Sequence, residues 1–415
     1  MKPKIHYHSH AAFFSGAENM LSVLLQSEEL HSRFSNTFSY RFSHEYHNGF
    51  KKRVTNFKGE IFSLRFLHFY DREQLPSFLP NFFKRLLFLI FNIFLTYPLF
   101  FYQVIILYRL LLKVRPDILH INNAGYPAAL SARAAAIAGR IAGVPKIIMI
   151  VNNLAVGYDR PYRWIEYPID KIVSKSINFF ITGSQSAAIR LQRVLKLESD
   201  KVTQIHNGIK LRKESETCLQ TKQRLNLINF KGVIFGVVAL LVPRKGHQIL
   251  LDAINNLIVS EKFKGQDFML LIEGKGPLHQ ELMDFVVNKD LSQWVTFIGQ
   301  EDNIVNFMSA IDVLIWPSIE DEDFPNVISE AMGLGKPVIA SRLAGTPEQV
   351  VEGITGLLIE PRDSEQLSRS ISYLIKNTAI RKSMGIKAKE RFKTHFSSEI
   401  AVKNYLDFYQ TLIEV

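Results

Sequence analysis

Cysteine occurs once in this chain of 415 residues, at Cys218. A lone thiol excludes a disulfide framework and points to a reducing compartment. The opening "MKPKIHYHSHAAFF" lacks the apolar core and cleavage site of a secretory leader, so a cytoplasmic location is expected. His, Cys, Asp and Glu nowhere take up metal-ligand spacing, and no bound metal is expected. Neither a Ser–His–Asp set nor a reactive cysteine is evident. Zinc-finger spacing, a basic zipper and RNP-like aromatic motifs are also missing, which removes nucleic acid as a partner. Low-complexity segments and repeats of solenoid length are absent.

What is present is the composition of a globular protein, 47% apolar and 21% charged, with length enough for two cores. The net charge of +11 comes almost wholly from the first 200 residues, so that half is expected to meet something anionic. A membrane surface is the favoured candidate. The run "KRLLFLIFNIFLTYPLFFYQVIILYRLLLKVR" carries no charged residue from Leu86 to Tyr108 and exceeds the roughly 20 residues that a bilayer requires. Pro98 is expected to break a helix at Tyr97. The segment therefore reads as two shorter helices lying in the interface, about residues 84–115, flanked by Lys84, Arg85, Arg109, Lys113 and Arg115. Ordinary buried helices are the rival reading. The preceding "KKRVTNFKGEIFSLRFLHFYDR" adds basic and aromatic residues suited to lipid headgroups.

Short apolar runs alternate with helical patterns through both halves: "DILHINNA", "PKIIMIVNN" and "NFFITGSQ", then "VIFGVVAL", "FMLLIEGKGP", "VTFIG", "DVLIWP" and "KPVIAS". Such alternation with continuous apolar strands predicts parallel sheets covered on both faces. Two series predict two doubly wound α/β domains, residues 1–203 and 204–385, joined near "VTQIHNGIK". Residues 386–415 form late helices that bridge back. Ligands of such sheets bind at the carboxyl ends of the strands.

One such end is "PSIEDEDFPNVISEAMGLGKPVIAS". Val327, Ile328, Ala331 and Met332 recur at helical spacing, with Pro325 suited to the first helical position and Gly333 and Gly335 to the end. Glu322 precedes the helix and Glu330 lies on its outer face. Two carboxylates and free backbone N–H groups meet in one small volume. A capped surface helix with solvated acids, "EDED" included, is the bland alternative.

This stretch resembles the E-x7-E signature of the retaining glycosyltransferases of family four. "SGAEN", "IHNGI", "VPRKGH", "IEGKGPL" and "AGTPEQV" in the same order carry the likeness over most of the chain. The resemblance implies the GT-B fold, two Rossmann-like domains facing a cleft, with the donor nucleotide sugar on the second domain and the acceptor on the first. It implies no cofactor or metal beyond a nucleoside-diphosphate sugar as donor substrate. Glu322 would lie near the reacting sugar and Glu330 on the ribose hydroxyls, which a carboxylate clamps as a double acceptor. Phe324, Pro325 and Asn326 would offer backbone N–H groups to the diphosphate. Lys245 would neutralise the departing phosphate, with Arg244 beside it, because the arginine that the family places five residues upstream is here Leu240. Gly16 would close a turn over the diphosphate, with Ser15 replacing a glycine and Glu18 fixing the turn. Gly274 and Gly276 would lie beside the base. His120 and Asn152, at strand ends, would face the sugar or acceptor; Asn152 stands where many relatives have histidine. The expected activity is hexose transfer to a glycan acceptor, lipid-linked, in cell-surface polysaccharide synthesis on the inner face of the membrane. A catalytically weak GT-B subunit that supports a partner transferase is the alternative, and Leu240 and Asn152 are its evidence.

Overall fold

The computed structural model describes residues 2–11, 13–14, 16–67, 80–127, 129–159, 163–320 and 322–414, and of residues 17 and 81–93 the backbone alone. The chain divides into two units. One comprises the residues up to Ile205 together with those from Val402, and the other is His206–Ala401. The C-terminal division therefore falls inside the last helix, and residues 386–401 stay with the second unit.

The first unit contains β1 (Lys4–Ser9), α1 (Ala17–Leu25), α2 (Glu28–Arg33), β2 (Ser35–Arg41), α3 (His44–Arg53), β3 (Gly59–Leu64), α4 (Asn81–Val114), β4 (Ile118–Asn123) and α5 (Leu130–Ile141). It continues with β5 (Lys146–Val151), α6 (Arg163–Ser176), β6 (Phe179–Thr182), α7 (Gln185–Leu195) and β7 (Val202–Gln204). Its strands form one parallel sheet in the order β3-β2-β1-β4-β5-β6-β7. The strand order reverses between β1 and β4, and the carboxyl ends of that pair are the ligand-binding crevice of such a sheet.

Within the basic and aromatic stretch that precedes the long apolar run, "GEIFSL" is β3, which pairs with β2 from Asn36↔Gly59 to Arg41↔Leu64. One expectation for this unit is corrected. The apolar run from residue 84 to 115 is one helix, α4, with Pro98 inside it. A proline removes one backbone hydrogen bond, and packing outweighs that loss here. Phe100, Val104, Leu107 and Leu111 enter the core, and the Tyr97 hydroxyl donates to the Ile165 carbonyl at 2.6 Å. At 100° per residue Phe94, Phe101, Ile105 and Leu112 fall within about 40° of one another, and all four are exposed. Phe94–Val114 is long and apolar enough to cross a membrane, with a third of its most apolar window buried in the protein. The side chains of Lys84 and Arg85 lie outside the described residues.

The second unit runs α8 (Cys218–Arg224), β8 (Val233–Val238), α9 (His247–Glu261), β9 (Phe268–Glu273), α10 (His279–Asn288), β10 (Val295–Gly299), α11 (Ile304–Ala310) and β11 (Val313–Trp316). After these come α12 (Asn326–Gly333), β12 (Val338–Ser341), α13 (Thr346–Gln349), β13 (Gly356–Ile359), α14 (Ser364–Lys376) and α15 (Thr378–Arg391). Helix α16 (Ser398–Glu414) begins here and passes into the first unit. The parallel sheet has the order β10-β9-β8-β11-β12-β13, with its reversal between β8 and β11. One apolar cluster fills the face covered by α9 and α14, and another fills the face covered by α11, α12 and α15.

Candidate active site

The carboxyl ends of β8 and β11 hold the second unit's polar constellation. After β8 the chain makes a short turn, Pro243–Lys245, followed by Gly246 at φ +70°. A Cβ on Gly246 would lie 2.0 Å from the Pro317 carbonyl oxygen, and the Ile319 N–H donates to the Arg244 carbonyl at 2.9 Å. This close backbone approach locks the turn onto the segment leaving β11. In consequence Lys245 Nζ and Arg244 Nη1 both donate to Glu322 Oε1. Lys245 is 7% exposed, so it is no solvated loop lysine, and its Nζ lies 4.2 Å from the centre of the Trp316 ring. Burial pulls the ammonium below the ordinary lysine range, while the Glu322 carboxylate opposes that shift. Arg244 is the more exposed partner. Trp316 was not singled out from sequence; its signal was its place at the end of the apolar strand "DVLIW".

Helix α12 follows four residues after Glu322. Pro325 is its N-cap and not its first residue, a shift of one position. Gln349 Nε2 donates to the Pro325 carbonyl and to Ser329 Oγ, at 3.1 and 2.9 Å, which fixes the start of the helix. Asn326 opens the helix, and Glu330, half-buried, lies one turn further on, about 6 Å along the axis. Phe324 is buried, stacks on His206 at 4.9 Å and meets Phe396 edge-on at 5.5 Å. Asp323, expected in a solvated loop, is 4% exposed, and its carbonyl accepts the Gly345 N–H at 3.0 Å. Gly274 (φ +140°) and Gly276 abut the loop after β8; a Cβ on either would lie 1.9 or 2.4 Å from the carbonyl oxygen of Ala239 or Leu241. Their first duty is to let these two loops touch. The neighbouring Glu273, which sequence reasoning missed, is buried, accepts the Glu301 N–H at 3.0 Å and has its carboxyl pushed up by burial. Leu240 is exposed. Among the described residues no three of His, Cys, Asp or Glu are grouped to hold a metal.

In the first unit Gly16 is the exposed N-cap of α1 at φ −60°, a conformation open to any residue. Ser15 lies outside the described residues. Asn152 follows β5, and its Nδ2 donates to Asn122 Oδ1 at 3.0 Å. Asn122 Nδ2 in turn donates to Ser9 Oγ at 3.3 Å, and the Ser9 hydroxyl to Glu18 Oε1 at 3.4 Å. Asn152 thus ends a polar chain across the carboxyl ends of β5, β4 and β1. Ser9 and Asn122 were not foreseen. His120 is a correction. It sits inside β4, fully buried, beside the ring of Tyr7 at 4.8 Å, and its Nδ1 meets the Tyr409 hydroxyl. A side chain with no exposed surface cannot touch an acceptor; it receives the C-terminal helix α16.

Comparison with known proteins bears on the family and the fold. The model for "Glycosyl transferases group 1" matches residues 220–391 and that for "Glycosyltransferase Family 4" residues 60–213. An uncharacterised glycosyltransferase of Methanocaldococcus jannaschii is 36% identical over 43% of this chain and 48% of its own length. The N-acetyl-alpha-D-glucosaminyl L-malate synthase of Bacillus anthracis is 32% identical over 35% of this chain and 38% of its own. The chain thus spans less than half the length of both. The capsular polysaccharide biosynthesis glycosyltransferase CapM of Staphylococcus aureus is 25% identical over 67% of this chain and 73% of its own length. Among solved structures, HepE of Anabaena in complex with UDP aligns over 99% of this chain and 100% of its own, with TM-score 0.74 and 19% identity. A glycosyltransferase of Rickettsia africae aligns over 99% of both chains, with TM-score 0.75 and 18% identity. Two parallel α/β sheets in this arrangement are the GT-B fold of nucleotide-sugar-dependent transferases. The chain belongs to glycosyltransferase family four.

Proposed function

We propose that this protein transfers a hexose from a nucleoside-diphosphate sugar to a lipid-linked glycan in cell-surface polysaccharide synthesis. In this reading it retains the configuration of the sugar, needs no metal and lies on the inner face of the membrane. The observation that carries the reading is the convergence of Lys245 and Arg244 on Glu322, at the carboxyl ends of β8 and β11 and ahead of the α12 N-terminus. Glu322 holds the two cations in place until a diphosphate takes them over. Lys245, buried over Trp316, then stabilises the charge that develops on the departing phosphate. The α12 N-terminus receives the phosphates, Glu330 clamps the ribose, and Glu322 is released to the sugar. Leaving phosphate and incoming hydroxyl meet on one face of the sugar. Asn152, which carries no titratable proton, fits a reaction in which the donor phosphate takes the acceptor proton.

The polysaccharide context draws on the name of CapM, and the donor on the UDP complex of HepE. The membrane location draws on the exposed row Phe94, Phe101, Ile105 and Leu112 along α4, beside the basic first unit. A panel of nucleoside-diphosphate sugars screened by thermal stabilisation tests the donor reading, since a ligand of the native state raises its melting point. No stabilisation by any member refutes it. A second reading, a catalytically weak subunit, rests on Leu240 and Asn152. It is favoured only if donor binds and purified protein with membrane lipid and glycan acceptor shows no turnover.

A further inference from the structure

The polar chain that ends at Asn152 has a direction. Asn152 Nδ2 lies 3.0 Å from Asn122 Oδ1 and 3.1 Å from the Asn123 carbonyl oxygen. A backbone carbonyl only accepts, so the amide atom turned to Asn123 must be the nitrogen. Both of its hydrogens are spent inside the protein. Asn122 therefore presents Oδ1 to Asn152 and its own Nδ2 to Ser9 Oγ, at 3.3 Å. Ser9 accepts there and sends its hydroxyl hydrogen to Glu18 Oε1, at 3.4 Å. Glu18 is buried in the first turn of α1, a position that favours a carboxylate, and a carboxylate also only accepts. A carbonyl at one end and a carboxylate at the other thus dictate every bond between them.

The strand register agrees. Ser9 pairs with Asn122, and Asn122 with Ile150. Asn152, two residues beyond Ile150, therefore continues on the face of the sheet that carries Ser9 and Asn122. Helix α1 packs against β4 and brings Glu18 to Ser9. What the chain leaves over is Asn152 Oδ1, to which nothing among the described residues donates. Asn152 is half-buried at the carboxyl end of β5, one strand from the crevice between β1 and β4. With both hydrogens engaged it offers a ligand only an acceptor, which rejects a phosphate oxygen and suits a hydroxyl group. We propose that Glu18, Ser9 and Asn122 are positioning residues that hold Asn152 Oδ1 as the hydrogen-bond acceptor for a hydroxyl of the glycan acceptor. The attacking hydroxyl gives its hydrogen to the donor phosphate, so the one on Asn152 is a neighbouring, unreactive hydroxyl. The contact selects among acceptors and activates none.

The inference rests on the reading of a glycan acceptor bound by the first unit. Stabilisation by nucleoside-diphosphate sugars is therefore measured on the same samples, to report the donor reading separately. The probes are the methyl glycosides of glucose, galactose, mannose and N-acetylglucosamine, titrated into full-length protein labelled with 15N-asparagine. Asn152→Ala identifies the side-chain signal. At least one glycoside should shift that signal, and inorganic phosphate should not. Asn152→Ala should weaken the same glycoside about fivefold, the loss of one neutral hydrogen bond. Ser9→Ala breaks the chain without touching the ligand and should weaken it about threefold. In the Asn152→Ala background Ser9→Ala should cost nothing further, because residues that act as one unit are not additive. If Ser9→Ala does not fold, Asn122→Leu, of similar size and without polar atoms, is read in its place. No Asn152 shift with any glycoside overturns the proposal, as does a shift with phosphate or wild-type affinity in Asn152→Ala. An undiminished effect of Ser9→Ala in the Asn152→Ala background would make the chain a tie between strands and overturn it too. Nucleotide sugars that still stabilise the protein in those cases leave the donor reading standing alone.

Discussion

Lys245 shows how far one side chain's environment can differ from its sequence context. The resemblance assigns it to the departing phosphate, while a lysine in a loop such as "VPRKGH" is by itself usually solvated; the Gly246 turn instead presses it onto Trp316 and Glu322. Removing it should cost about 2–4 kcal/mol of transition-state stabilisation, the range for one preorganised charged donor. Lys245→Ala should therefore lower kcat/KM for donor by roughly two to three orders of magnitude. Arg244→Ala should cost less, because that guanidinium is partly solvated. If steady-state kinetics give the reverse order, Arg244 is the phosphate ligand. Leu240→Arg should leave the fold intact, since the leucine side chain is exposed and its backbone carbonyl is what is engaged, by the Val242 N–H at 2.9 Å and His247 Nε2 at 3.1 Å. Its expected effect on turnover is nil or a gain; a loss with unchanged melting temperature would show that a third cation misplaces the diphosphate.

At the scale of elements, the apolar parallel strands β5, β8, β9 and β11 were legible because nothing polar interrupts them. The sheet around β1 and β2 was not. "KIHYHS" and "SNTFSYR" place His6, His8, Thr37 and Ser39 inside the protein, where they satisfy one another, so polarity and exposure part company and the alternation misleads. Helix α4 failed differently: Pro98 argued for a break, and tertiary packing overrode it. The E-x7-E stretch was legible from its residues, whereas the bond that joins Glu322 to Lys245 arises from a backbone contact between Gly246 and Pro317, far apart in sequence, that no local pattern encodes. The exposed row of α4 bears a test at this scale. Phe94, Phe101, Ile105 and Leu112 changed together to Ser should move the protein from membrane pellet to supernatant without lowering its melting temperature. Unaltered sedimentation would remove α4 as the anchor. A second test lies in the ion cluster of the same unit, where Arg133 and Arg163 share Glu166 and Asp170. Both arginines are almost wholly buried. Arg163→Met should destabilise by about 3–5 kcal/mol, the usual cost of stranding a buried charge, as read from the urea midpoint.

For the molecule as a whole the two units should answer acid differently. His6, His8 and His120 are buried and neutral in the first unit, each held to about 3, chiefly by burial. In the unfolded chain they titrate near 6.5. A histidine whose folded value is depressed contributes stability that is complete above about pH 6.5, and this is lost as pH falls toward the folded value. Between those limits the unfolded first unit binds up to three more protons than the folded one. The slope approaches about 1.4 kcal/mol per pH unit for each histidine, or about 4 together. In the second unit His247 is displaced in the same direction, also by burial, so that unit has a weaker dependence on histidine. Acidification from pH 7.5 to 5 should therefore split a single thermal transition into two, with the first unit melting earlier. Calorimetry with hydrogen exchange read separately over β1–β5 and β8–β13 measures this directly. Transitions that move together, or a second unit that melts first, would show that the buried histidines do not set the acid limit.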